Sequence, residues 1–175
     1  AKAILQEDIH KTYVQAHGTG TPQNRTSESH ILNETAKAFG INNWPVTSTK
    51  SYVGHSIGTA AGDQLTAALG VWQHGWIPGI KSIDHIADDV HRSNLNILLD
   101  HQYVGEKGRD IKGVIINSKG FGGNNATALV LSPEKTLAML NKRYGTNSMQ
   151  NYYKKNIAVQ QTSATADLAA CQGAE

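Results

Sequence analysis

The sequence predicts an α/β domain in which helices cover the faces of a mixed sheet, followed by a helical C-terminal extension. Two strand–loop–helix units come first, at residues 12–40 and 45–72. Two more strands, KGVIIN and ATALVLS, then flank a glycine-rich turn and predict an antiparallel hairpin. Strands that alternate with helices and end in a strand pair are typical of layered α/β proteins.

The first elements follow from hydrophobic spacing. KAILQEDI is predicted to be the end of a helix, and TYVQA a strand that stops before Gly18. The next helix is closed by Gly40, and its apolar stripe comprises Ile31, Leu32, Thr35, Ala36 and Phe39.

The second unit pairs the strand PVTST with a long helix. Ser56 is the predicted N-cap of this helix, which would place its positive end near His55. The predicted apolar stripe comprises Ile57, Ala61, Leu65, Ala68, Leu69 and Trp72.

The remainder of the chain divides into an irregular stretch and an extension. Turn signals and charges predict a mostly irregular segment from Gly75 to Asp110. The main domain is expected to cover residues 1–133 and the extension residues 134–175. Within the extension, EKTLAMLNKRYG and SMQNYYKKNIAVQQ are predicted helices, whereas the weakly hydrophobic TSATADLAACQGAE is expected to be disordered.

Composition argues against several classes of partner. The 16 Lys and Arg residues are dispersed and nearly balanced by 14 Asp and Glu, so nucleic acid is not an expected partner. No apolar run approaches the roughly 20 residues of a membrane span, and the N-terminus lacks the pattern of a signal peptide. The single cysteine, Cys171, allows no disulfide framework, which favours a cytoplasmic location.

Three loops collect the residues that could carry chemistry: HGTGTPQN, KSYVGHSIG and NSKGFGGNN. His17 and His55 each lie beside a glycine at the start of a strand-to-helix connection, so the fold can bring their rings together. Two neutral imidazoles can each donate one N–H to a developing oxyanion. Lys50 lies five residues before His55 and can orient a side chain or hold a carboxylate.

Each of these signals also has a simpler interpretation. A histidine beside a glycine is more often a turn residue, Lys50 alone is a solvated charge, and GFGGNN fits a tight turn as well as a phosphate cradle. No pair of histidines at HxxxH spacing has an acidic ligand nearby, so no metal site is predicted.

In their order and spacing, HGTGTP, KSYVGHSIGTAAG and NSKGFGGNNA resemble the C-terminal half of the β-ketoacyl-acyl-carrier-protein synthases, which belong to the thiolase superfamily. The resemblance spans residues 4–133, and longer bacterial members carry an extension like this one. It implies a thiolase-type fold of two similar halves, each a five-stranded sheet with helices, of which this chain is similar to the second only.

The resemblance also implies roles for individual residues. His17 and His55 would donate hydrogen bonds to the malonyl thioester carbonyl while decarboxylation builds an enolate. Lys50 would support this pair, and Glu28 would pair with the lysine. The residues expected to bind the pantetheine arm and to gate acyl transfer are Thr19, Thr21, Phe121 and Gly122.

The nucleophile in this family is a cysteine of the first half, and nothing here corresponds to it. Cys171 lies in a polar tail without a partner base and is rejected for that role. The chain alone is therefore predicted to be inactive. The implied partners are an acyl carrier protein, whose phosphopantetheine holds the substrates in place of a separate cofactor, the N-terminal half of the same synthase, and a second copy in a homodimer.

Two departures from the family pattern leave the acyl preference open. Arg25 stands where the family often has Asp, and is expected to alter a loop salt bridge rather than the reaction. Lys119 stands where a phenylalanine is usual. Two alternatives to fatty acid synthesis also remain: a ketosynthase domain of a polyketide or polyunsaturated-lipid synthase, since these share HGTGTP, and a non-catalytic ketosynthase-like partner.

Overall fold

The computed structural model describes residues 1–173 and divides the chain into two compact units, which begin at Ala1 and Glu134. The strands are β1 (Thr12–Gln15), β2 (Trp44–Thr47), β3 (Trp76–Ile77), β4 (Leu95–Ile97), β5 (Gln102–Tyr103), β6 (Gly113–Gly120) and β7 (Asn124–Leu131). The α-helices are α1 (Lys2–Leu5), α2 (Pro22–Ala38), α3 (Lys50–Val53), α4 (Ala60–His74), α5 (Pro133–Tyr144) and α6 (Thr146–Cys171).

A five-stranded mixed sheet forms the centre of the first unit, in the order β4-β2-β1-β6-β7. Strand β1 lies parallel to both β2 and β6, and β4 lies parallel to β2. Strand β7 returns antiparallel to β6, as the hairpin pattern predicts. Strands β3 and β5 form a separate antiparallel pair.

Apolar layers cover both faces of the sheet, because successive residues of a strand point to opposite sides. Val14 of β1 belongs to a core with Leu32 and Ala36 of α2. Its neighbour Tyr13 belongs to a second core, with Val71 of α4 among its members. The predicted α/β layer architecture is confirmed, and its central strand β1 is buried on both sides.

The segment from Gly75 to Asp110, predicted to be mostly irregular, contains β4, which is an edge strand of the five-stranded sheet. Strand β4 has only three residues, and of these Leu95 alone is fully buried. Its sequence, Leu-Asn-Ile, covers only one period of alternation, which is too short for hydrophobic spacing to identify a strand. Pairing with β2 produces the strand.

Helix α4 differs from its prediction in start and orientation. A 3₁₀ turn at Ile57–Thr59 precedes it, Thr59 is the N-cap, and the Ser56 hydroxyl donates to Asp63 instead of capping the helix. The buried face consists of Ala60, Gln64, Ala68, Val71 and Trp72. Four members of the predicted stripe are exposed, namely Ile57, Ala61, Leu65 and Leu69. The stripe mixed two faces because both sides of this segment carry apolar residues.

The second unit consists of α5 and α6. The end predicted to be disordered is helical as far as Cys171. Four alanines between residues 164 and 170 explain the difference, because alanine has the highest helix propensity and low hydrophobicity does not oppose an exposed helix. Ala174 and Glu175, also included in that prediction, lie outside the described residues. Within residues 1–173, no helix has the length and hydropathy required to cross a bilayer.

Candidate active site

His17 follows β1 in a turn that is fixed from several sides. Its side chain is only 6% exposed. The main-chain N–H groups of His17 and Gly18 donate to the two carboxylate oxygens of Glu28, at 2.8 and 2.9 Å. Gly18 has φ +56°, and a Cβ atom there would lie 2.3 Å from the Ser48 hydroxyl oxygen. The turn therefore requires glycine beside the histidine.

Glu28 of α2 is buried and accepts two further hydrogen bonds. Asn24 Nδ2 donates at 3.0 Å, and Asn117 Nδ2 of β6 donates at 2.6 Å. Four neutral N–H groups thus surround one carboxylate, which strengthens each bond because the acceptor is charged. Neither asparagine was identified from the sequence, although both lie within the loops that it singles out.

The direct pairing of Glu28 with Lys50 that the family resemblance implied is absent. Lys50 begins α3, and its Nζ atom is buried without a hydrogen-bond partner among the described residues. Burial holds the pKa of this ammonium below its ordinary value, and the fields of Glu28 and Asp63 oppose that shift without reversing it. The reason for the missing contact is that the oxygens of Glu28 are already engaged by amides.

His55 lies in the exposed loop between α3 and α4, and its ring centroid is 5.2 Å from that of His17. The two ring planes are inclined by 80°. The Ile57 main-chain N–H donates to Nδ1 of His55 at 3.1 Å. An accepting Nδ1 carries no proton, so in the neutral ring the N–H is at Nε2.

Electrostatics favours a neutral ring at His17. Burial lowers the pKa of this imidazole most, the positive charge of Lys50 lowers it further, and Glu28 acts in the opposite sense. His55 and Lys119 make smaller contributions in the lowering direction. Within residues 1–173, Nδ1 of His17 is buried and has no hydrogen-bond partner. A neutral imidazole of this kind supplies one donor and one acceptor rather than a fixed charge.

A cleft of about 1030 Å³ adjoins this cluster. Its lining includes Thr19, Lys50 and His55 together with the apolar side chains of Ile80 and Val90. The segment that contains Val90 is attached to α2 by the guanidinium group of Arg25, which binds both carboxylate oxygens of Asp89 at 2.8 and 3.0 Å.

The other predicted site residues fall into two places. The hydroxyl oxygens of Thr19 and Thr21 are 3.4 Å apart in the turn after His17. Phe121 and Gly122 lie in a 3₁₀ turn between β6 and β7, where the side chain of Phe121 is 98% exposed. The structure thus gathers His17, His55, Lys50, Glu28 and Thr19, and leaves the phenylalanine loop outside the walls of the cleft.

The thiol and metal chemistry of the described chain is limited. Cys171 is exposed on α6, in the second unit. Across residues 1–173, no group of three or more His, Cys, Asp or Glu side chains is arranged to hold a metal ion. The cluster in the first unit therefore offers hydrogen-bond donors, one buried ammonium and one buried carboxylate.

Comparison with known proteins identifies the proteins to which this chain is similar. Residues 2–84 match the model of the beta-ketoacyl synthase C-terminal domain. The chain is 46% identical, over 94% of its length, to the beta-ketoacyl-[acyl-carrier-protein] synthase FabY of Pseudomonas aeruginosa. It is 31% identical, over 67% of its length, to 3-oxoacyl-[acyl-carrier-protein] synthase 1 of Escherichia coli strain K12.

The structural comparison agrees. The crystal structure of the ketosynthase FabY from P. aeruginosa superposes with a TM-score of 0.91 and 44% identity, covering 98% of this chain and 27% of that one. The chain spans 25% of the length of the P. aeruginosa relative and 27% of the E. coli relative. It corresponds to the C-terminal part of a thiolase-like synthase.

Proposed function

We propose, from the premise that this chain carries the C-terminal domain of a β-ketoacyl synthase, that it is the C-terminal part of a 3-oxoacyl-acyl-carrier-protein synthase of fatty acid biosynthesis. The observation that carries this proposal is the pairing of His17 and His55, whose rings are 5.2 Å apart and of which His55 lines the cleft. The names of the two relatives support the carrier protein as the substrate's vehicle. The cytoplasmic location expected from the composition is part of the proposal.

The reaction proposed is a decarboxylative Claisen condensation. The bond between the malonyl carboxylate and the α-carbon breaks, CO₂ leaves, and the electron pair forms an enolate on the thioester oxygen. The α-carbon then attacks the acyl group held on a cysteine, forming a C–C bond and releasing the cysteine thiolate. The product is a 3-oxoacyl thioester on the carrier.

The histidine pair contributes by stabilising the enolate more than the thioester from which it forms. A neutral imidazole donates a hydrogen bond to the oxyanion without a proton transfer, and the depressed pKa of His17 keeps its ring in that form. Donors fixed before the reaction need no reorganisation as charge develops. Glu28 serves this arrangement by holding the main chain of His17.

Lys50 supplies positive charge beside the pair. Its buried ammonium lowers the pKa of His17 and faces no hydrogen-bond partner among the described residues. A developing negative charge on the substrate would receive the field of this group. We assign Thr19 and Thr21 to the pantetheine arm, and Phe121 with Gly122 to the gate for acyl transfer.

The nucleophile must come from outside this chain. Cys171, its single cysteine, is exposed on α6 and lies outside the unit that holds the histidines. We therefore propose that the N-terminal half of the synthase provides the reactive cysteine and that the chain alone does not condense substrates. The exposed side chains Ile57, Leu65 and Leu69 of the α4 segment form an apolar surface that this half would cover.

The central experiment measures two half-reactions in the complete synthase. His17→Ala and His55→Ala are each expected to reduce malonyl decarboxylation by roughly 10²–10³-fold, the loss typical of removing one oxyanion donor. Transfer of the acyl group to the cysteine should be affected much less. His30→Ala is the matched control, because His30 is exposed on α2 and its ring contacts His91 rather than the pair.

Equal loss in both half-reactions would show that the histidines have another role. Condensation by the 175-residue chain alone would refute the missing-nucleophile argument.

Assays with the acyl substrates of polyketide or polyunsaturated-lipid synthesis test the alternative pathways. A complete protein that neither decarboxylates malonyl-carrier nor accepts an acyl group would be the non-catalytic partner. Sedimentation of the isolated chain as a stable monomer would contradict the proposed coverage of the apolar α4 surface.

A further inference from the structure

Gln64 is a buried amide on the face of α4 that packs against the sheet. Its side chain is 1% exposed in a position where its neighbours on the helix, Ala60 and Ala68, are apolar. The Nε2 group donates to three main-chain carbonyls: those of Gln15 at 3.0 Å, Ala16 at 2.8 Å and Asn117 at 3.1 Å. Two N–H bonds are thus shared among three acceptors.

These carbonyls lie where strands β1 and β6 separate. The last register pair between the two strands is Gln15 with Ile116, so Ala16 and Asn117 are the next residues on each. An amide placed between them satisfies acceptors that the ladder no longer pairs across this gap. An apolar side chain of similar size would fill the space but would leave the carbonyls without this donor.

The residues that supply two of these carbonyl groups, Ala16 and Asn117, are both connected to the turn that contains His17. Ala16 directly precedes His17. The side chain of Asn117 donates to Glu28, whose carboxylate in turn accepts from the main-chain N–H of His17. Gln64 itself belongs to the helix that follows the His55 loop, nine residues along the chain. A single amide therefore links the segments that carry the two rings.

We propose that Gln64 is a positioning residue that fixes the distance between His17 and His55 by binding the main chain of β1 just before His17 and the main chain of the adjacent strand β6. It reaches no substrate. Its effect on catalysis rests on the function proposed above, but its effect on the geometry does not, so the two are tested separately.

The geometric test uses Gln64→Met, which keeps the length of the side chain and removes its donors. In the wild-type chain, histidine-selective NMR is expected to show a cross-peak between the His17 and His55 rings and a His17 pKa below the ordinary value. In Gln64→Met the cross-peak should be lost, and the His17 pKa should rise as the turn opens to water. The charged groups that face His17, namely Glu28, Lys50, His55 and Lys119, are unchanged in this variant.

Trp72→Phe is the matched control. Trp72 lies on the same buried face of the same helix, eight residues further from the His55 loop, and its Nε1 donates to the Ile111 carbonyl at 3.1 Å. This variant should lower the melting temperature while keeping the cross-peak and the His17 titration. A purely structural role for Gln64 would make the two variants behave alike.

A folded Gln64→Met protein that retains both NMR signals would overturn the proposal. If that variant does not fold, Gln64→Asn, which keeps the amide but is one methylene shorter, must show the same loss for the proposal to stand. In the complete synthase, kcat for decarboxylation is expected to fall on the order of 10²-fold with KM little changed, as for a misplacement of about 1 Å. Altered ring geometry with no such fall would leave the positioning role intact and count against the proposed function.

Discussion

The two histidines of the site are held in different ways. His17 is buried, and its main chain is bound by Glu28, while Gln64 binds the residue before it. His55 is exposed, and its ring accepts one hydrogen bond, from Ile57 two residues away. The chain thus holds one histidine by contacts from its own core and leaves the other on an exposed loop. The difference teaches that this fold fixes His17 from several elements, whereas it fixes His55 through a local contact.

The largest expected effect tests whether Glu28 fixes the turn that contains His17 and Gly18. Glu28→Gln replaces an acceptor oxygen with a donor that faces buried N–H groups, and we expect a loss of about 3 kcal/mol in the free energy of unfolding. Urea denaturation measures it. Glu34→Gln, an exposed substitution on the same helix, should change stability by less than about 0.5 kcal/mol. Equal losses of stability in Glu28→Gln and Glu34→Gln would mean that the four hydrogen bonds to Glu28 do not fix the His17 turn.

The next effect concerns the contact between the His17 turn and Ser48, the residue that follows β2. Gly18 and Gly20 both have positive φ, but only at Gly18 would a Cβ atom collide, with Ser48. Gly18→Ala should therefore cost about 1–3 kcal/mol more than Gly20→Ala, the range for overpacking a tight site. Thermal unfolding of the two variants gives the difference. If both lose the same stability, backbone strain alone explains the glycines.

A smaller effect appears in the pH dependence of stability. The pKa of His17 is lowered on folding from its ordinary 6.5, so the unfolded chain binds a proton that the folded chain resists. Stability from the neutral ring is present above pH 6.5 and is lost as the pH falls toward the folded pKa. His17→Gln should flatten this decline, whereas His55→Gln should retain it. Urea denaturation at several pH values decides, and an unchanged decline in His17→Gln would remove His17 as its source.

The smallest effect is expected at the ion pair between Arg25 and Asp89, which joins α2 to the segment that contains Val90 of the cleft lining. Both groups are solvent-accessible, so a double-mutant cycle with Arg25→Ala and Asp89→Ala should give a small favourable coupling that decreases with added salt. The exchanged pair Arg25→Asp with Asp89→Arg should be more stable than either single reversal. No coupling at low salt would mean that the pair does not hold the segment to α2.

Recognition of the site from the sequence depended on short polar motifs. His17, Lys50 and His55 were identified because each lies in a glycine-containing loop after a strand, and parallel strands bring such loops to one edge. Gln64 and Asn117 could not be assigned in this way. Their importance comes from main-chain carbonyls and a carboxylate that become neighbours only after β1 and β6 pair.

The errors in the fold prediction have the same origin. Apolar residues occur on two sides of α4, and the sequence contains no information on which side the sheet of this chain will cover. Strand β4 is too short to show a period and exists through its pairing with β2. Hydrophobic spacing identifies an amphipathic element, but tertiary packing selects its buried face when both faces are apolar.

The sequence by itself determined the α/β class, the β6–β7 hairpin and the loops that contain the histidines, because these depend on local periodicity and on residue types with distinct chemistry. Only the tertiary structure decided that Glu28 binds the His17 turn rather than Lys50. It also decided that the Lys50 ammonium lies buried without a hydrogen-bond partner among the described residues. Finally, it decided that the Gln64 amide binds carbonyl groups of both β1 and β6. The physical reason is that hydrogen-bond partners in a core are chosen by distance and direction across the sheet. Those quantities arise between segments that are 11 to 89 residues apart in the chain.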